Sequence, residues 1–174
     1  AASARNTGAK QAKGQFIAFT DDDCMPSADW LRAIAARFKN APESLIGGRT
    51  INILSNNIFS TASQQLIDYV YKYYNANPHK ARFFASNNIA LPKETFLDIG
   101  GFDVTYPRMA SEDRELCDRW VQKGYPMLYA PEVQINHAHH LTLKSFWQQH
   151  FFYGRGAFCF HTIRAQRAAE QIRI

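Results

Sequence analysis

The stretch FIAFTDDDCM, residues 16–25, runs an apolar segment directly into three consecutive carboxylates. The segment 15–20 lacks polar alternation, which predicts a strand covered on both faces, as in a parallel sheet. Side chains alternate along an extended chain, so Asp21 and Asp23 should face the same side where this strand ends. Ligands of open α/β sheets bind at the carboxyl ends of strands. The sequence therefore places a candidate site at residues 21–23.

The chemistry of this acidic stretch has two interpretations. Two carboxylates on one side of a crevice repel each other unless something neutralises them. Mg²⁺ and Mn²⁺ prefer oxygen ligands, and Mg²⁺ leaves coordination positions to substrate phosphates and water. The stretch is then a divalent-cation site that also holds a phosphate. The other interpretation is a solvated turn in which an Asp caps the next helix, and the spacing alone leaves both open.

The elements around this stretch predict one layered α/β domain. Helical segments are predicted at 2–13, from Ser27, at 58–75, at 93–99, from near Ser111 to Gly124 and from Leu143 onward. Strands are predicted at 15–20, 45–54, 83–92, 127–131 and 132–137, with a bulge at Gly47-Gly48. Alternation of helices and strands is typical of α/β folds, and neither an internal repeat nor a second domain is visible.

Composition limits the classes of protein that fit. The 174 residues carry a formal charge of +5, which suits an anionic partner such as a nucleotide phosphate or acidic lipid, or simply reflects a mildly basic surface. The three cysteines lack metal-type spacing, so a reducing compartment is expected. No apolar stretch reaches about 18 residues, so no membrane span is predicted. The chain opens without Met, as if inside a helix, so we expect a fragment of a longer protein.

A second acidic pair, Glu112-Asp113, begins the helix predicted near Ser111. Acidic residues in a first turn complement the helix macrodipole, which explains such a pair without any function. If the pair shares a cleft with residues 21–23, a carboxylate there could act as a general base toward an attacking hydroxyl. The sequence alone does not choose between these roles.

Three segments in this order resemble the inverting family 2 glycosyltransferases. They are ARNTGAKQAKGQFIAFTDDDC (4–24), SNNIALPKETFLDIGGFD (86–103) and SEDRELCDRWVQKGY (111–125), and the resemblance covers roughly residues 2–156. It implies the GT-A fold, a Rossmann-like mixed sheet flanked by helices, with the first βαβ portion missing. Residues 1–174 would then be a single partial catalytic domain with an aromatic and basic helical tail from about residue 143.

The resemblance also implies roles for the acidic residues. Asp21-Asp22-Asp23 matches the DxD motif of the family, in which Asp23 would be a direct ligand of Mn²⁺ or Mg²⁺. Asp21 would lie near the nucleotide ribose and the metal shell, with Asp22 also on the donor side. Asp113 would be the catalytic base, and Glu112 would lie beside it toward the acceptor.

Further residues receive roles from the same resemblance. Arg5 and Asn6 match a segment close to the nucleotide, and Asn87 and Asn88 fall where the family lines the donor-sugar or acceptor pocket. His137 stands where many members complete the metal shell with a late histidine. His139 and His140 are near enough in sequence to compete for that position.

The implied reaction moves a sugar, with inversion, from a UDP- or GDP-type donor to a hydroxyl of a glycan or lipid-linked acceptor. Such an enzyme would serve cell-envelope or polysaccharide biosynthesis, with no nucleic-acid partner. One alternative is a nucleotidyltransferase, which needs a basic cluster around a triphosphate and gives no reason for the Glu112-Asp113 pair. The other is a non-catalytic glycan-binding relative, which would be expected to lose Asp23 or Asp113, and this chain keeps both.

The tail mixes aromatic and basic residues in SFWQQHFFYGRGAFCFHTIRAQR (145–167). A helix could pack these aromatic residues on the core, following ordinary amphipathic logic. It could instead lie at an anionic membrane, where aromatic and Arg side chains suit the headgroup region. A cytoplasmic protein is expected in either case, and the second interpretation places it at the inner face of the membrane.

Overall fold

The computed structural model describes residues 1–105 and 111–172, with side chains described up to residue 166. The helices are α1 (Ala2–Gln11), α2 (Trp30–Asn40), α3 (Ile58–Tyr74), α4 (Lys93–Asp98), α5 (Glu112–Gln122) and α6 (Leu143–Ile172). The strands are β1 (Phe16–Thr20), β2 (Cys24–Pro26), β3 (Leu45–Asn52), β4 (Asn88–Pro92) and β5 (Met127–His137). The α/β class expected from the sequence is confirmed.

The five strands form one mixed sheet in the order β1-β4-β3-β5-β2. Strands β3 and β5 pair in parallel, and the other neighbours are antiparallel. Adjacent residues Leu45 and Ile46 of β3 belong to different hydrophobic clusters, because successive side chains point to opposite faces. Helix α2 covers one face, while α1, α3, α4 and α5 cover the other.

The prediction that β1 lies in a parallel sheet, covered on both faces, was wrong. β1 pairs antiparallel with β4, and its side chains alternate between buried and exposed. Ile17 and Phe19 are buried, whereas Ala18 is exposed. The second face is covered only at its start, where the ring of Phe16 stacks on Phe38 of α2 with centroids 3.9 Å apart.

An irregularity does lie at Gly47-Gly48, but the bulge predicted there belongs to the partner strand. Gly47 lies opposite Tyr129 and Arg49 lies opposite Gln134, so the extra residues are in β5. Both glycines are required by close packing. A Cβ on Gly47 would lie 2.1 Å from the ring of Phe84, and one on Gly48 would lie 2.1 Å from the carbonyl oxygen of Val133. The two strands predicted at 127–137 are the single strand β5. Its internal proline sits at the irregularity, where no ladder bond is needed from it.

The strand predicted at 83–92 begins only at Asn88. The preceding residues cross the core as a loop, because side chains supply the hydrogen bonds that a strand would have supplied. The backbone N–H of Phe83 donates to Asn75 Oδ1 at 3.2 Å, and that of Ala85 donates to the hydroxyl of Tyr71 at 2.9 Å. The short strand β2 was not predicted, and α2 begins at Trp30 rather than near Ser27.

Candidate functional site

Three side chains that could bind a metal meet where the first and last strands end. Asp23 precedes β2, which pairs with the end of β5 so that Cys24 lies opposite His137. Asp23 Oδ2 lies 3.2 Å from His137 Nε2 and 3.1 Å from His139 Nδ1. One potential ligand atom from each of the three lies within 4.8 Å of the others. Sheet pairing thus brings together residues more than 110 positions apart in sequence.

Helix α6 orients one of these imidazoles. His139 Nε2 lies 2.8 Å from Oε1 of Gln149, whose amide nitrogen donates to Ser63 at 3.3 Å. With its Nε2–H donated to Gln149, a neutral His139 turns the lone pair of Nδ1 toward the carboxylate of Asp23. Two electron-rich groups at 3.1 Å repel each other unless a proton or a cation lies between them.

The histidines also decide the charge state of the carboxylate. Burial acts to raise the pKa of Asp23, but the hydrogen bond of His139 and the charge and hydrogen bond of His137 outweigh it. The pKa of Asp23 therefore lies below its ordinary value. The ionised form of this carboxylate is favoured, as a cation ligand requires.

The two consecutive asparagines have different environments. Asn88 is completely buried and does not line the site, contrary to expectation. Its side chain accepts from Trp30 Nε1 at 2.9 Å and donates to the carbonyls of Arg49 and Val133. Asn87 lines a small cavity of about 80 Å³ beside the two histidines. Its buried Oδ1 has no hydrogen-bond partner among the described residues.

Arg5 links the two acidic clusters. Its guanidinium donates to Asp21 Oδ1 at 2.5 Å and approaches Glu112 Oε1 at 3.4 Å. The carboxylate of Asp21 thus forms an ion pair with Arg5. The group that could bind a metal consists of Asp23, His137 and His139, and does not include Asp21, which was expected there. Asp22 is exposed.

Asn6 has a structural position, unlike Arg5. Its side chain donates to the carbonyl of Phe102 at 2.8 Å and accepts from the N–H of the same residue at 2.9 Å. These contacts give Asn6 a structural role, and its expected position close to the nucleotide stays a prediction. It holds the turn at Gly101, whose φ of +67° suits glycine and whose added Cβ would lie 2.6 Å from Asn6 Oδ1.

Asp113 has the perturbed carboxyl group of the second acidic pair. Burial raises the pKa of Asp113 to about 6, and the negative charge of Glu112 adds to this effect. Its Oδ1 accepts a hydrogen bond from the backbone N–H of Arg114 at 2.7 Å. A carboxylate with a pKa near 6 is ionised at neutral pH yet is a stronger base than an ordinary Asp.

Tyr153 of α6 was not among the site residues expected from the sequence. Tyr153 lines both the small cavity beside His137 and His139 and a second cleft that contains Asp113. Burial raises the pKa of the Tyr153 hydroxyl to about 12, with the charges of Asp113 and Asp21 contributing. Tyr153 therefore lies between the two acidic clusters. No local motif could reveal this, because it depends on how α6 docks.

A larger cavity, of about 730 Å³, lies between α3 and the strands β3 and β5. Basic side chains line it, including Arg37, Arg49 and Lys72, and none of the site residues expected from the sequence does. Arg37 is paired with Glu132 at 2.5 Å, so part of this positive charge is already neutralised.

The whole fold is shared with nucleotide-sugar enzymes. The chain superposes over its full length on 44% of a mannosyltransferase from Pyrobaculum calidifontis solved in complex with GDP-Man and Mn²⁺, with a TM-score of 0.67 and 16% identity. It also matches GalNAc-T7 solved with UDP, GalNAc and Mn²⁺, with a TM-score of 0.60, 19% identity, and coverage of 80% of this chain and 30% of that one. The mixed sheet with its flanking helices is thus a GT-A fold, as expected from the sequence.

Sequence comparison identifies the family. The model of the family described as "Glycosyltransferase like family 2" matches residues 1–158, and the chain belongs to that family. A pre-mycofactocin glycosyltransferase of Mycobacterium tuberculosis is 28% identical over 160 residues, which are 90% of this chain and 34% of the relative. A glucosyl-dolichyl phosphate glucuronosyltransferase of Haloferax volcanii is 23% identical over 162 residues, covering 83% of this chain and 52% of the relative. The chain thus spans about a third to a half of these curated relatives.

Proposed function

We propose that this chain is the catalytic part of an enzyme that transfers a sugar from a nucleoside-diphosphate donor to an acceptor hydroxyl, with inversion at the anomeric carbon. The observation that carries the proposal is the double contact of Arg5 with Asp21 and Glu112. It supports one cleft in which a donor-side acidic stretch and an acceptor-side base face the same substrates. Family membership and the GT-A fold support the same reaction class.

The donor side uses the Asp/His group. Asp23, His137 and His139 fit a divalent cation, because one potential ligand atom from each lies within 4.8 Å of the others. One oxygen and two nitrogen donors favour Mn²⁺ over Mg²⁺, which prefers oxygen ligands. When bound, the cation would stabilise negative charge on the departing diphosphate. Asn87, with its unpartnered Oδ1, is available to a polar group of the donor.

The acceptor side uses Asp113 as the general base. Its carboxylate takes the proton of the acceptor hydroxyl, and the oxygen attacks the sugar C1 from the face opposite the nucleotide. The bond between C1 and the diphosphate oxygen breaks, and its electron pair leaves with the diphosphate. Burial and, to a lesser extent, the negative charge of Glu112 raise the pKa of Asp113, and Arg5 contacts Glu112.

The relatives support particular substrate classes. The solved neighbours carry GDP-Man or UDP, which supports a UDP- or GDP-type donor. The Haloferax relative is named for a dolichyl phosphate acceptor, which supports a lipid-linked acceptor. A nucleotidyltransferase would need a cluster of basic residues around a triphosphate, which is not among the residues that the resemblance assigns to the site. A non-catalytic relative would not need the raised pKa of that residue.

We also propose that α6 lets the protein contact an anionic membrane from the cytoplasmic side. Residues 143–166 contain Lys144, Arg155 and Arg164 and no acidic residue. The side chain of Trp147 is 72% exposed and that of Phe158 is 76% exposed. Exposed aromatic residues on a helical segment that has basic but no acidic residues suit an anionic lipid surface. Among the described residues no helix is long and apolar enough to cross a bilayer.

The reaction is tested by incubating the protein with UDP- and GDP-sugars and Mn²⁺ and measuring release of the nucleoside diphosphate. General-base catalysis is worth about 10²–10⁴-fold, so Asp113→Asn should lower transfer by that order while donor binding stays nearly unchanged. Asp23→Ala should abolish Mn²⁺-dependent donor binding. The exposed Asp98 provides the matched control, Asp98→Asn, which should retain full transfer. Normal transfer by Asp113→Asn would refute the base assignment, and pyrophosphate release from a nucleoside triphosphate would favour a nucleotidyltransferase.

A further inference from the structure

The cavity of about 730 Å³ between α3 and the strands β3 and β5 has no part in the proposed reaction. Its volume lies within the range of roughly 300–1,000 Å³ that is usual for small-molecule sites. It adjoins the smaller cavity beside the two histidines, and the two cavities share the side chains of Thr50, Gln64, Ile67 and Tyr71. Asp23 and Asp113 lie outside its lining. This cavity, the α3 groove, is therefore a separate place where a ligand could bind.

Positive charge faces the α3 groove. The described lining includes the basic side chains of Arg37, Arg49, Lys72 and His79 and the acidic side chain of Asp68. Arg37 already pairs with Glu132. Within residues 1–105 and 111–166, no ion pair engages Arg49 or Lys72, and both residues are exposed. An anion in the groove would therefore meet two cations that are not already in ion pairs.

The described side chains of Asp68 and Lys72 do not form the ion pair that their spacing would allow. Gln64, Asp68 and Lys72 follow one another at intervals of four residues on α3, where an acid and a base commonly attract each other across one turn. Instead, Asp68 Oδ1 accepts a hydrogen bond from Gln64 Nε2 at 2.8 Å, and the same nitrogen donates to the backbone carbonyl of Thr50 at 3.1 Å. Gln64 thus holds Asp68, and the charge of Lys72 remains available to a ligand.

A buried hydroxyl without a partner lies in the wall between the groove and the small cavity. Thr50 is 8% exposed, and its Oγ1 has no hydrogen-bond partner in the described part of the chain. A hydroxyl can both donate and accept, and leaving it buried and unpaired costs free energy that a bound polar group recovers. Arg49 and Thr50 both line the groove, although neighbouring side chains of a regular strand point to opposite faces. One ligand can therefore contact both residues.

The groove also offers an aromatic hydroxyl and apolar surface. Burial raises the pKa of Tyr129, while the charge of Arg49 acts to lower it and that of Asp68 to raise it. The Tyr129 hydroxyl therefore keeps its proton at neutral pH and can donate a hydrogen bond. Ile67 and Leu128 line the same groove and provide contact for the uncharged body of a ligand.

We propose that the α3 groove binds a small hydroxylated organic anion, a phosphate ester or a carboxylate, whose charged group lies between Arg49 and Lys72. Its hydroxyl groups are bound by Thr50 and Tyr129. The fork of N–H donors on a guanidinium matches the oxygens of both phosphate and carboxylate, and a lysine adds a point charge. The inference does not rest on the proposed function, because neither the Asp/His group nor the pair Glu112-Asp113 takes part.

The test measures binding of glucose 6-phosphate, glucuronate and glucose by titration calorimetry. The buffer is freed of divalent cations, so that no anion binds through a metal at the Asp/His group. At least one of the two anions should bind at least about tenfold more tightly than glucose, because hydrogen bonds to charged groups are the stronger ones. Tighter binding of glucose 6-phosphate would assign a phosphate ester to the groove, and tighter binding of glucuronate would assign a carboxylate.

Variants locate the bound anion. Arg49→Gln and Lys72→Gln should each weaken its binding about fivefold or more, because each removes a charged hydrogen-bond donor. Lys39→Gln is the matched control, because it removes one exposed positive charge from α2 outside the groove and should leave binding unchanged. All three residues are exposed, so the variants should fold, which thermal unfolding checks.

Thr50→Val tests the buried hydroxyl. It should weaken binding of the anion about 2–10-fold. Without ligand it should not lower the free energy of unfolding, because the hydroxyl has no described partner to lose. Equal binding of the three compounds, or the absence of any binding, would overturn the inference. So would anion binding that both Arg49→Gln and Lys72→Gln leave unchanged. Asp23→Ala should bind the anion normally, and loss of binding in that variant would place the anion at the Asp/His group instead.

Discussion

Arg5 Nη1 lies 3.4 Å from Glu112 Oε1, although 107 residues separate them in sequence. The same guanidinium contacts Asp21 at 2.5 Å. The acidic segments 21–23 and 112–113 could have lain on opposite sides of the sheet, but the guanidinium group of Arg5 contacts both. This contact supports treating both segments as parts of one site.

Loss of this bridge should destabilise the fold. Arg5→Ala leaves two partly buried carboxylates without their partner, and hydrogen bonds to charged groups are worth about 1.5–3 kcal/mol. We expect the free energy of unfolding, measured by urea denaturation, to fall by about 2 kcal/mol. Arg32→Ala is the control, because Arg32 pairs with Asp29 on the exposed surface and such pairs contribute about 0–1 kcal/mol. Equal losses in the two variants would show that the bridge is not specially stabilising.

The pH dependence of transfer should report Asp113. Because the pKa of Asp113 is raised to about 6, kcat/KM should increase as the pH rises through 6 and the carboxyl loses its proton. Glu112→Gln removes the neighbouring negative charge, which lowers the pKa of Asp113 and moves this acid limb to lower pH. A limb that stays in place in Glu112→Gln would contradict the assignment.

Stability should depend on pH in the opposite direction. A carboxyl with a raised pKa in the fold contributes stability that is complete below pH 3.8 and is lost as the pH rises through about 6. Asp113→Asn removes this loss and can still accept the hydrogen bond of Arg114. At pH 8 we expect the free energy of unfolding of the variant, measured by urea denaturation, to exceed that of the native protein by at most about 3 kcal/mol. Below pH 4 we expect the two free energies to be equal. If the free energies of unfolding of the two proteins differed by the same amount at pH 4 and at pH 8, ionisation of Asp113 would not be the cause.

Metal affinity should depend on Gln149. Removing the partner that orients a metal-binding histidine typically weakens metal affinity about 10–100-fold. Gln149→Leu should therefore weaken Mn²⁺ binding, measured by electron paramagnetic resonance titration, by at least about tenfold. Gln148→Leu changes an exposed neighbour on the same helix and should bind Mn²⁺ normally. Similar affinities in both variants would mean that His139 does not need this hydrogen bond.

The two asparagines should respond oppositely to substitution. Asn88→Ala leaves Trp30 Nε1 and two backbone carbonyls without their buried partner, so we expect a loss of about 2–4 kcal/mol in unfolding free energy. Asn87→Ala removes an oxygen that has no partner in the described structure and should cost less than about 1 kcal/mol. Its effect should appear in donor binding instead. A large stability loss in Asn87→Ala would contradict this division.

Membrane contact should depend on the exposed aromatic residues of α6. Replacing Trp147 and Phe158 together with Ser should reduce co-sedimentation with vesicles that contain anionic lipid, because both side chains are exposed. Val104→Ser alters an exposed apolar residue elsewhere and serves as control. Binding that persists in the double variant, or that is equal on neutral vesicles, would exclude this surface.

Local sequence patterns were sufficient to predict most of the helices and strands, and the types of residue that form the candidate site. The irregularity opposite Gly47-Gly48 and the acidic end of β1 follow from residues adjacent in sequence, although the extra residues of the bulge lie in β5. The strand at 83–92 was overestimated, because Asn75 and Tyr71 supply hydrogen bonds to its first residues from another element. The apolar residues of β1 predicted a strand covered on both faces. In the structure α2 covers the second face only at Phe16, the first residue of β1.

Contacts over long sequence distances divided the candidate residues into different roles. Asn6 and Asn88 lie within the matched motifs, yet their side chains are saturated by backbone groups and Trp30. Gln149, His150 and Tyr153 come from a helix whose composition fitted core packing as well as a membrane surface. Their place at the site depends on the docking of α6 against α3, which no periodicity encodes.

The amino-acid sequence by itself determined the α/β alternation, the carboxylates at the end of β1 and the acidic start of α5, because these depend on neighbours within a few residues. Only the tertiary structure decided that His139 rather than Asp21 joins Asp23, that Arg5 connects the two acidic segments, and that Arg49 and Lys72 line one groove. The physical reason is that ligand geometry, ion pairing and burial are set by distances between side chains. Strand pairing and helix docking bring those side chains together from distant parts of the chain.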